Sequence, residues 1–348
     1  MTKRRSTPPP LPVAAAVEST TADAPYATLT PDRILDAVES IGLHCDGRLL
    51  ALNSYENRVY RVGVDDAEPV IAKFYRPGRW SDPAILEEHE FAHELAETEI
   101  PLVPPLKNAS GTSLHRNEEL RFALYPNRPG RAPELDNPDV LEWIGRFIGR
   151  IHGRGETRQF RHRGTLSEAR FGVEPVEYLT RSAFIPVELR ATYASVAREV
   201  LAQIHALFEL AGKVRQRRLH GDCHPGNIMW TPAGPHFVDL DDCLMGPAVQ
   251  DLWMLLAGDR DDMQRQLGDV LAGYDDFCTF DARELVLIEA LRTLRIVHYA
   301  AWLARRWTDP AFPLHFPWFN SQRYWQDHIL SLREQQAAMQ EPPLFDPR

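Results

Sequence analysis

Three polar side chains in the second half of the chain have the spacing of a phosphate-transfer site. Asp222 and Asn227 lie five residues apart in the stretch 219–230, and Asp239 follows twelve residues after Asn227, within 237–242. Carboxylate and carbonyl oxygens are the ligands that Mg²⁺ prefers, and the ion keeps its other positions for phosphates and water. A carboxylate beside a hydroxyl can orient it and accept its proton. We therefore predict Asp222 as the catalytic carboxylate, with Asn227 and Asp239 holding Mg²⁺ on nucleotide phosphates. The alternative, that the two aspartates only cap turns, does not account for their joint spacing.

A lysine on an apolar strand is the second candidate. Of 39 basic residues only four are lysines, and Lys73 follows Val-Ile-Ala in a strand-like run. Such a lysine can hold nucleotide phosphates if a carboxylate on the next helix fixes it. We choose Glu88, because Phe91 and Leu95 continue its face of the helix; Glu87 and Glu90 remain alternatives. The other interpretation is a surface lysine beside a solvated acidic helix.

Two further groups near these residues have less specific patterns. The turn Asn53–Asn57 stands where a phosphate-binding loop would be, but it contains no glycine, so Ser54 is either a nucleotide contact or part of a plain hairpin turn. His220, Cys223 and His224 lack the second ligand pair that a structural zinc site needs, which favours packing and hydrogen bonding around the loop. Asp251 opens a helix and is predicted to cap it.

The flanking residues predict a mixed α and β chain. Alternating apolar residues and turn signals predict strands near residues 50–52, 58–62, 69–75, 102–103 and 121–125, with helices over 31–42 and 85–95. Helical spacing then predicts helices over 138–152, 187–212, 283–306 and 320–340. Thr30 and Pro31 have the residue types of a helix start.

Composition limits the function classes. The net charge of −10 argues against a nucleic-acid binder, and no run of 18 apolar residues predicts a membrane span. The four cysteines form no CxxC pair, so we expect reduced thiols in a cytoplasmic protein. Residues 1–27 are rich in Pro, Thr and Ala and predict a disordered tail.

These motifs together resemble a known family. His220-Gly221-Asp222 with Asn227, followed by 238–242, resembles the aminoglycoside phosphotransferase and choline kinase branch of the protein-kinase-like fold. Protein kinases themselves have Arg at the Gly221 position and Phe-Gly after the metal-binding Asp, and this chain has neither. More narrowly, the segments 52–60, 73–77, 86–89 and 246–255 resemble the stress response kinase A family of bacterial Ser/Thr protein kinases.

The resemblance implies an α+β, bilobal fold with a small antiparallel-sheet lobe and a mostly helical lobe. It divides the chain into a nucleotide-binding lobe (28–126), a catalytic lobe (127–335) and a C-terminal tail (336–348). It implies ATP- and Mg²⁺-dependent phosphorylation of Ser/Thr hydroxyls on proteins, including itself, by a monomer that acts under stress. Asp222 and Asp239 are then active-site residues, Asn227 and Asp239 magnesium ligands, and Ser54 and Lys73 nucleotide contacts, with the adenine near 122–126.

Two alternatives stay open from the sequence. A small-molecule kinase for an amino alcohol, a homoserine-like compound or an aminoglycoside keeps the fold, and Asp241 and Asp242 could favour a cationic acceptor. A non-catalytic nucleotide-binding regulator is disfavoured because Lys73, Asp222, Asn227 and Asp239 are all present. The segment from Asp239 to Asp251 contains no Ser, Thr or Tyr, so it cannot be an activation loop switched by its own phosphorylation.

Overall fold

The computed structural model describes residues 25–345. Most of the predicted tail therefore lies outside the described residues. Residues 25–27 form a turn that packs on the sheet, where the Tyr26 hydroxyl donates to the carbonyl oxygens of Glu56 and Phe74 at 3.2 Å each, so this part of the predicted disordered tail is ordered. Within the described residues, no helix combines the length and the apolar character needed to cross a bilayer.

The first part of the chain forms a five-stranded antiparallel sheet. Its order is β1-β2-β3-β5-β4. The strands are β1 Cys45–Ala51, β2 Arg58–Val64, β3 Val70–Phe74, β4 His115–Asn117 and β5 Leu120–Pro126. Helix α1 (Pro31–Glu39) packs on one face around Val62, Phe74 and Phe122, and α2 (Asp82–Glu97) connects β3 to β4.

The rest of the chain is mainly helical. The helices are α3 Pro138–Gly155, α4 Glu174–Arg181, α5 Val187–Ala211, α6 Val249–Trp253, α7 Arg260–Tyr274, α8 Ile288–Arg306, α9 Ala311–His315 and α10 Gln322–Ala338. A π-helical turn, Ala169–Val173, leads into α4. The largest apolar core lies among α4, α5, α8 and α10, and it includes the fully buried Trp325 and Tyr193. The α+β, two-part architecture that the sequence predicted is confirmed.

Two short antiparallel strand pairs interrupt the helices and frame the predicted catalytic residues. They are formed by β6 (Arg217–Leu219) with β9 (Leu244–Gly246), and by β7 (Ile228–Thr231) with β8 (Gly234–Phe237). The loop 220–227 leaves β6 and enters β7, and the segment 238–243 connects β8 to β9. Antiparallel pairing thus brings the two chemical loops side by side.

Some predicted elements were wrong or missed. The expected strand at 102–103 does not join the five-stranded sheet; Leu102 makes a single parallel bridge to Phe237 instead. Helix α7 was missed because four charged residues among its first seven hide its apolar positions; it begins with a capping box between Asp259 and Asp262. Thr30 caps α1 as predicted, with its side chain accepting from the Arg33 amide.

Candidate active site

Lys73 is the centre of a buried cluster of charges. It lies on β3, its side chain is 6% exposed, and its Nζ is 2.9 Å from Asp239 Oδ1, 3.1 Å from Asp241 Oδ1 and 3.5 Å from Glu88 Oε1. Burial lowers the pKa of Lys73, but the three carboxylates outweigh it and hold the pKa well above its usual range. The ammonium is therefore charged and positioned at the metal-ligand candidate Asp239.

The three acidic residues on α2 have different partners. Glu88 contacts Lys73 and also Arg163, whose Nη1 lies 3.3 Å from Glu88 Oε2. Glu87 instead accepts from the backbone amides of residues 161–163 at 2.7 to 3.1 Å, and Glu90 pairs with Arg158 at the surface. Glu88 is thus the helix glutamate that the structure brings to Lys73.

The loop that carries Asp222 is held in place through its backbone. The buried carboxylate of Asp251 accepts from the amides of His220 and Gly221 at 2.8 Å each and contacts His152 Nε2 at 3.0 Å. Asp251 is the third residue of α6 and does not cap it, so the capping prediction was wrong. Its carboxylate instead fixes the loop of Asp222 through the backbone amides of His220 and Gly221.

Gly221 has a conformation that its position requires. Its φ is +86°, and a Cβ atom there would overlap the carbonyl oxygen of Asp242 on the neighbouring segment. His220 joins the same two segments, because its Nε2 donates to the carbonyl oxygen of Val238 at 2.9 Å. His220 is therefore a structural link between the two segments. Within residues 25–345, no group of three or more His, Cys, Asp or Glu side chains is arranged to hold a metal ion.

Asp222 and Asn227 form the ends of one tight turn. The Asn227 Nδ2 donates to the carbonyl oxygen of Asp222 at 2.9 Å, which directs the amide Oδ1 away from that bond. Asp239 has a left-handed backbone, with φ of 61°, and its side chain is half-exposed. Asn227 and Asp239 thus each have an oxygen free for a ligand, on segments joined by the Val238 amide donating to the Asn227 carbonyl.

Arg295 of α8 is a site residue that the sequence did not reveal. Its Nη1 lies 2.6 Å from Asp222 Oδ1, and His224 Nε2 lies 3.5 Å from Oδ2. Burial raises the pKa of Asp222, but His224 and Arg295 outweigh it and hold the pKa well below its usual range. Arg295 is 73 residues from Asp222 in the chain, and no local pattern marks it.

The loop Asn53–Asn57 packs against the helical part of the molecule. None of its residues has a positive φ, so the loop needs no glycine. Glu56 pairs with Arg76 of the sheet part, and from α8 Trp302 Nε1 and Arg306 donate to its carboxylate. Ser54 is half-buried at the tip, and its hydroxyl makes none of the bonds that hold the loop.

The chain is similar to known proteins over most of its length. A model of the phosphotransferase enzyme family matches residues 48–286. The chain belongs to the phosphotransferase enzyme family. It is 44% identical over 319 residues to stress response kinase A of Escherichia coli K12, which covers 92% of this chain and 96% of that protein. It is 42% identical, with the same coverage, to the Serine/threonine protein kinase RdoA of Salmonella typhimurium.

The fold also matches solved structures of this family. Amicoumacin kinase hAmiN, in complex with AMP-PNP, Ca²⁺ and Ami, superimposes with a TM-score of 0.70 at 19% identity, over 91% of this chain and 96% of the other. At this identity the likeness shows the fold alone. Phosphotransferase membership and the names of the relatives make this chain a kinase.

Proposed function

We propose that this kinase is an ATP- and Mg²⁺-dependent Ser/Thr protein kinase. It phosphorylates other proteins and itself, as a cytoplasmic monomer in the stress response, with residues 28–126 as its nucleotide lobe and 127–335 as its catalytic lobe. The observation that carries the proposal is the convergence of Lys73 on Asp239 beside the loop of Asp222 and Asn227. These are the side chains that phosphate transfer to a hydroxyl requires.

The donor set fits Mg²⁺. Asp239 offers a half-exposed carboxylate and Asn227 an amide oxygen, which are hard ligands on adjoining segments. With two protein ligands, the other coordination positions of Mg²⁺ stay available for phosphates and water, which are its usual further ligands in such sites. The bound ion would neutralise phosphate charge, and Lys73 would exchange part of its contact with Asp239 for phosphate oxygens. Ser54 lies in the loop expected to cover those phosphates.

Asp222 performs the proton chemistry in this proposal. Its carboxylate orients the acceptor hydroxyl and takes its proton as the hydroxyl oxygen bonds to the γ-phosphorus and the bond to ADP breaks. Because the pKa of Asp222 is held low, it is ionised at neutral pH and acts mainly by orienting the hydroxyl. Asp251 serves this step indirectly, by fixing the backbone on which Asp222 stands.

Protein hydroxyls are the preferred acceptor. The relatives at 42–44% identity are a stress response kinase and a Ser/Thr protein kinase by name. A second candidate is a small-molecule hydroxyl kinase, because the same fold occurs in a protein named amicoumacin kinase. The sequence allowed Asp241 and Asp242 to bind a cationic acceptor, as this candidate would require. In the structure, however, Arg79 pairs with both carboxylates.

Phosphate transfer from labelled ATP tests the proposal. Wild type is incubated with itself, generic proteins and a panel of amino alcohols and aminoglycosides, alongside Asp222→Asn and the exposed control Asp327→Asn. We expect label in protein, a loss of ~10²-fold or more in Asp222→Asn with nucleotide binding retained by calorimetry, and no change in the control. Label in small alcohols alone would favour the second candidate, and full transfer by Asp222→Asn would contradict the catalytic assignment.

A further inference from the structure

The acceptor side of the cleft carries positive charge next to the catalytic carboxylate. Arg295 donates to Asp222 through one nitrogen, and its side chain remains 47% exposed. A guanidinium has five N–H donors in a planar fork. Both recorded contacts of this guanidinium, with Asp222 and with the Met254 sulfur, go through Nη1, so it keeps further donors beside the carboxylate that an acceptor hydroxyl must approach.

Carboxylates that could attract a cationic acceptor are already occupied. Asp241 is buried and bound by Lys73 and Arg79, and Asp242 pairs with Arg79 at 2.5 Å. Asp222 itself is bound by Arg295. An ammonium group entering here would have to compete with a guanidinium for each of these carboxylates, and that competition would cost affinity.

Two further arginines lie on α8 itself and on the π-helical turn that packs against it. Arg170 lies on the π-helical turn, 5.5 Å from the Phe171 ring and 5.7 Å from the Trp80 ring, and Arg305 of α8 lies over Tyr178 at 5.0 Å. Within residues 25–345 neither makes an ion pair with a carboxylate, although Glu174 and Asp242 contribute nearby negative charge to Arg170. Their charges are therefore only partly compensated.

His298 shows that these cations share one region. Its ring packs on Phe171 with centroids 4.8 Å apart. Burial, together with the positive charges of Arg305, Arg170 and Arg295, lowers the pKa of His298 from 6.5 to about 4. His298 is therefore neutral at pH 7, and the arginines around it add up to local positive charge in a protein whose net charge is −10.

We propose that Arg170, Arg295 and Arg305 form an acceptor subsite that selects Ser/Thr residues flanked by anionic groups. The inference rests on the proposed protein-kinase function and names its substrate class as acidic peptide segments. Carboxylates of Asp or Glu and the phosphate of a phosphoserine share the required chemistry, and guanidinium groups bind both in bidentate fashion. Arg295 would leave Asp222 for such a group and free the carboxylate for the hydroxyl.

A matched peptide series tests this subsite. Four peptides carry one Ser in neutral, Asp/Glu, phosphoserine or Lys/Arg surroundings, and kcat/KM is measured for wild type, Arg170→Gln, Arg170→Glu, Arg305→Gln and Arg295→Gln. We expect wild type to prefer acidic over neutral peptides by about tenfold, which partly desolvated ion pairs provide. The glutamine variants should reduce this ratio, and Arg170→Glu should shift the preference toward the basic peptide.

The ratio between peptides separates this inference from general damage. Arg323→Gln, on the exposed face of α10 with a side chain 90% exposed, is the control and should keep both the ratio and the rates of wild type. A stronger preference for the phosphoserine peptide than for the Asp/Glu peptide would assign the subsite to substrates that are already phosphorylated next to the acceptor. Equal rates for all peptides, or a basic preference, would overturn the inference while leaving the kinase function standing. Failure to phosphorylate any peptide or protein would remove the proposed function itself.

Discussion

At the scale of single residues, Gly221 marks a difference between the loop of Asp222 and the sequence of protein kinases. They carry arginine at this position, whereas here the backbone has φ of +86° and the carbonyl of Asp242 occupies the space of a side chain. The close approach lets the segment 238–243 lie directly against the loop of Asp222. Glycine at position 221 is thus required for the close packing that brings Asp239 beside Asn227.

Gly221→Ala should therefore remove activity. The Cβ atom would force the Asp222 loop away from the Asp242 backbone, and displacement of catalytic groups by about 1 Å can cost ~10²-fold. Gly47→Ala is the matched control, because Gly47 has a similar φ of +82° but open space around it. Steady-state kinetics and thermal unfolding of both variants give the comparison; equal activity in the two variants would show that the contact with Asp242 is unimportant.

Glu88→Gln tests which glutamate serves the site. Removing this buried carboxylate leaves Lys73 and Arg163 with one fewer counter-charge, so we expect a loss of roughly 3–5 kcal/mol in the free energy of unfolding and weaker nucleotide binding. Glu90→Gln, at an exposed ion pair, should change stability by less than ~0.5 kcal/mol. Urea unfolding and nucleotide titration measure both effects. A larger effect of Glu90→Gln would reassign the partner of Lys73.

At the scale of elements, the loop between β1 and β2 is docked onto the helical part of the molecule. Asp309, in the connection between α8 and α9, is 2% exposed and lies 2.6 Å from Arg76 Nη2 and 3.3 Å from Arg58 Nη2. Tyr55 adds an edge contact to Phe316 at 4.8 Å. These contacts, together with those of Glu56, fix the distance between the loop and the floor of the cleft.

Asp309→Asn should loosen this docking. The variant leaves two arginines without their shared carboxylate, which costs roughly 3–5 kcal/mol for a buried pair. We expect faster hydrogen exchange in residues 52–60 and 75–80 before exchange increases elsewhere. Asp327→Asn removes an exposed aspartate on α10 and should leave the exchange pattern unchanged. Exchange that increases uniformly in Asp309→Asn would argue for global destabilisation instead of local release.

Elements with regular apolar spacing were predictable, and those defined by distant partners were not. The spacing of Val140, Ile144 and Ile148 predicted α3 because one face of that helix is buried. β4 is three residues long and exists only through pairing with β5, so the sequence contains no signal of its own. Residues 102–103 have strand composition, but their partner is Phe237, more than 130 residues later.

The same division holds for the site. The spacing of Asp222, Asn227 and Asp239 predicted that they lie close together, and the structure places them on adjoining segments, because a tight loop and a short β7–β8 hairpin make sequence distance a good measure of spatial distance. Arg295, Arg163 and Arg79 were missed, because arginines are common in this chain and only the fold selects the ones that reach the carboxylates around the site.

At the scale of the whole molecule, one buried carboxyl group makes stability depend on pH. Glu284 is fully buried, and burial raises its pKa from 4.5 to about 7, although Arg217 and the Val249 amide partly oppose this. The Val249 amide donates to Glu284 Oε2 at 2.8 Å, so the group holds the start of α6, the helix of Asp251. As pH rises from 4.5 to 7, the unfolded chain releases this proton while the folded chain retains it.

Glu284→Gln should reveal this dependence. The stabilisation by protonated Glu284 is complete below pH 4.5 and is lost as pH rises through 7. Between pH 5 and pH 8, the free energy of unfolding of wild type should therefore fall by up to ~3 kcal/mol relative to that of the variant. Glutamine keeps an acceptor for the Val249 amide. Unfolding free energies of both proteins at several pH values measure the difference, and a difference that stays constant with pH would contradict the assignment.

The surroundings of Asp222 also decide whether the cysteine thiols near it react with oxidants. Cys223, directly after Asp222, is fully buried, and burial raises the pKa of its thiol well above the usual range; the same holds for Cys243 beside the Asp239 segment. Peroxides react with thiolates, and these sulfurs remain protonated and covered. A kinase related to stress response proteins thus carries its cysteines at the active site in a form that oxidation does not reach, which mass spectrometry of peroxide-treated protein would show as unmodified Cys223.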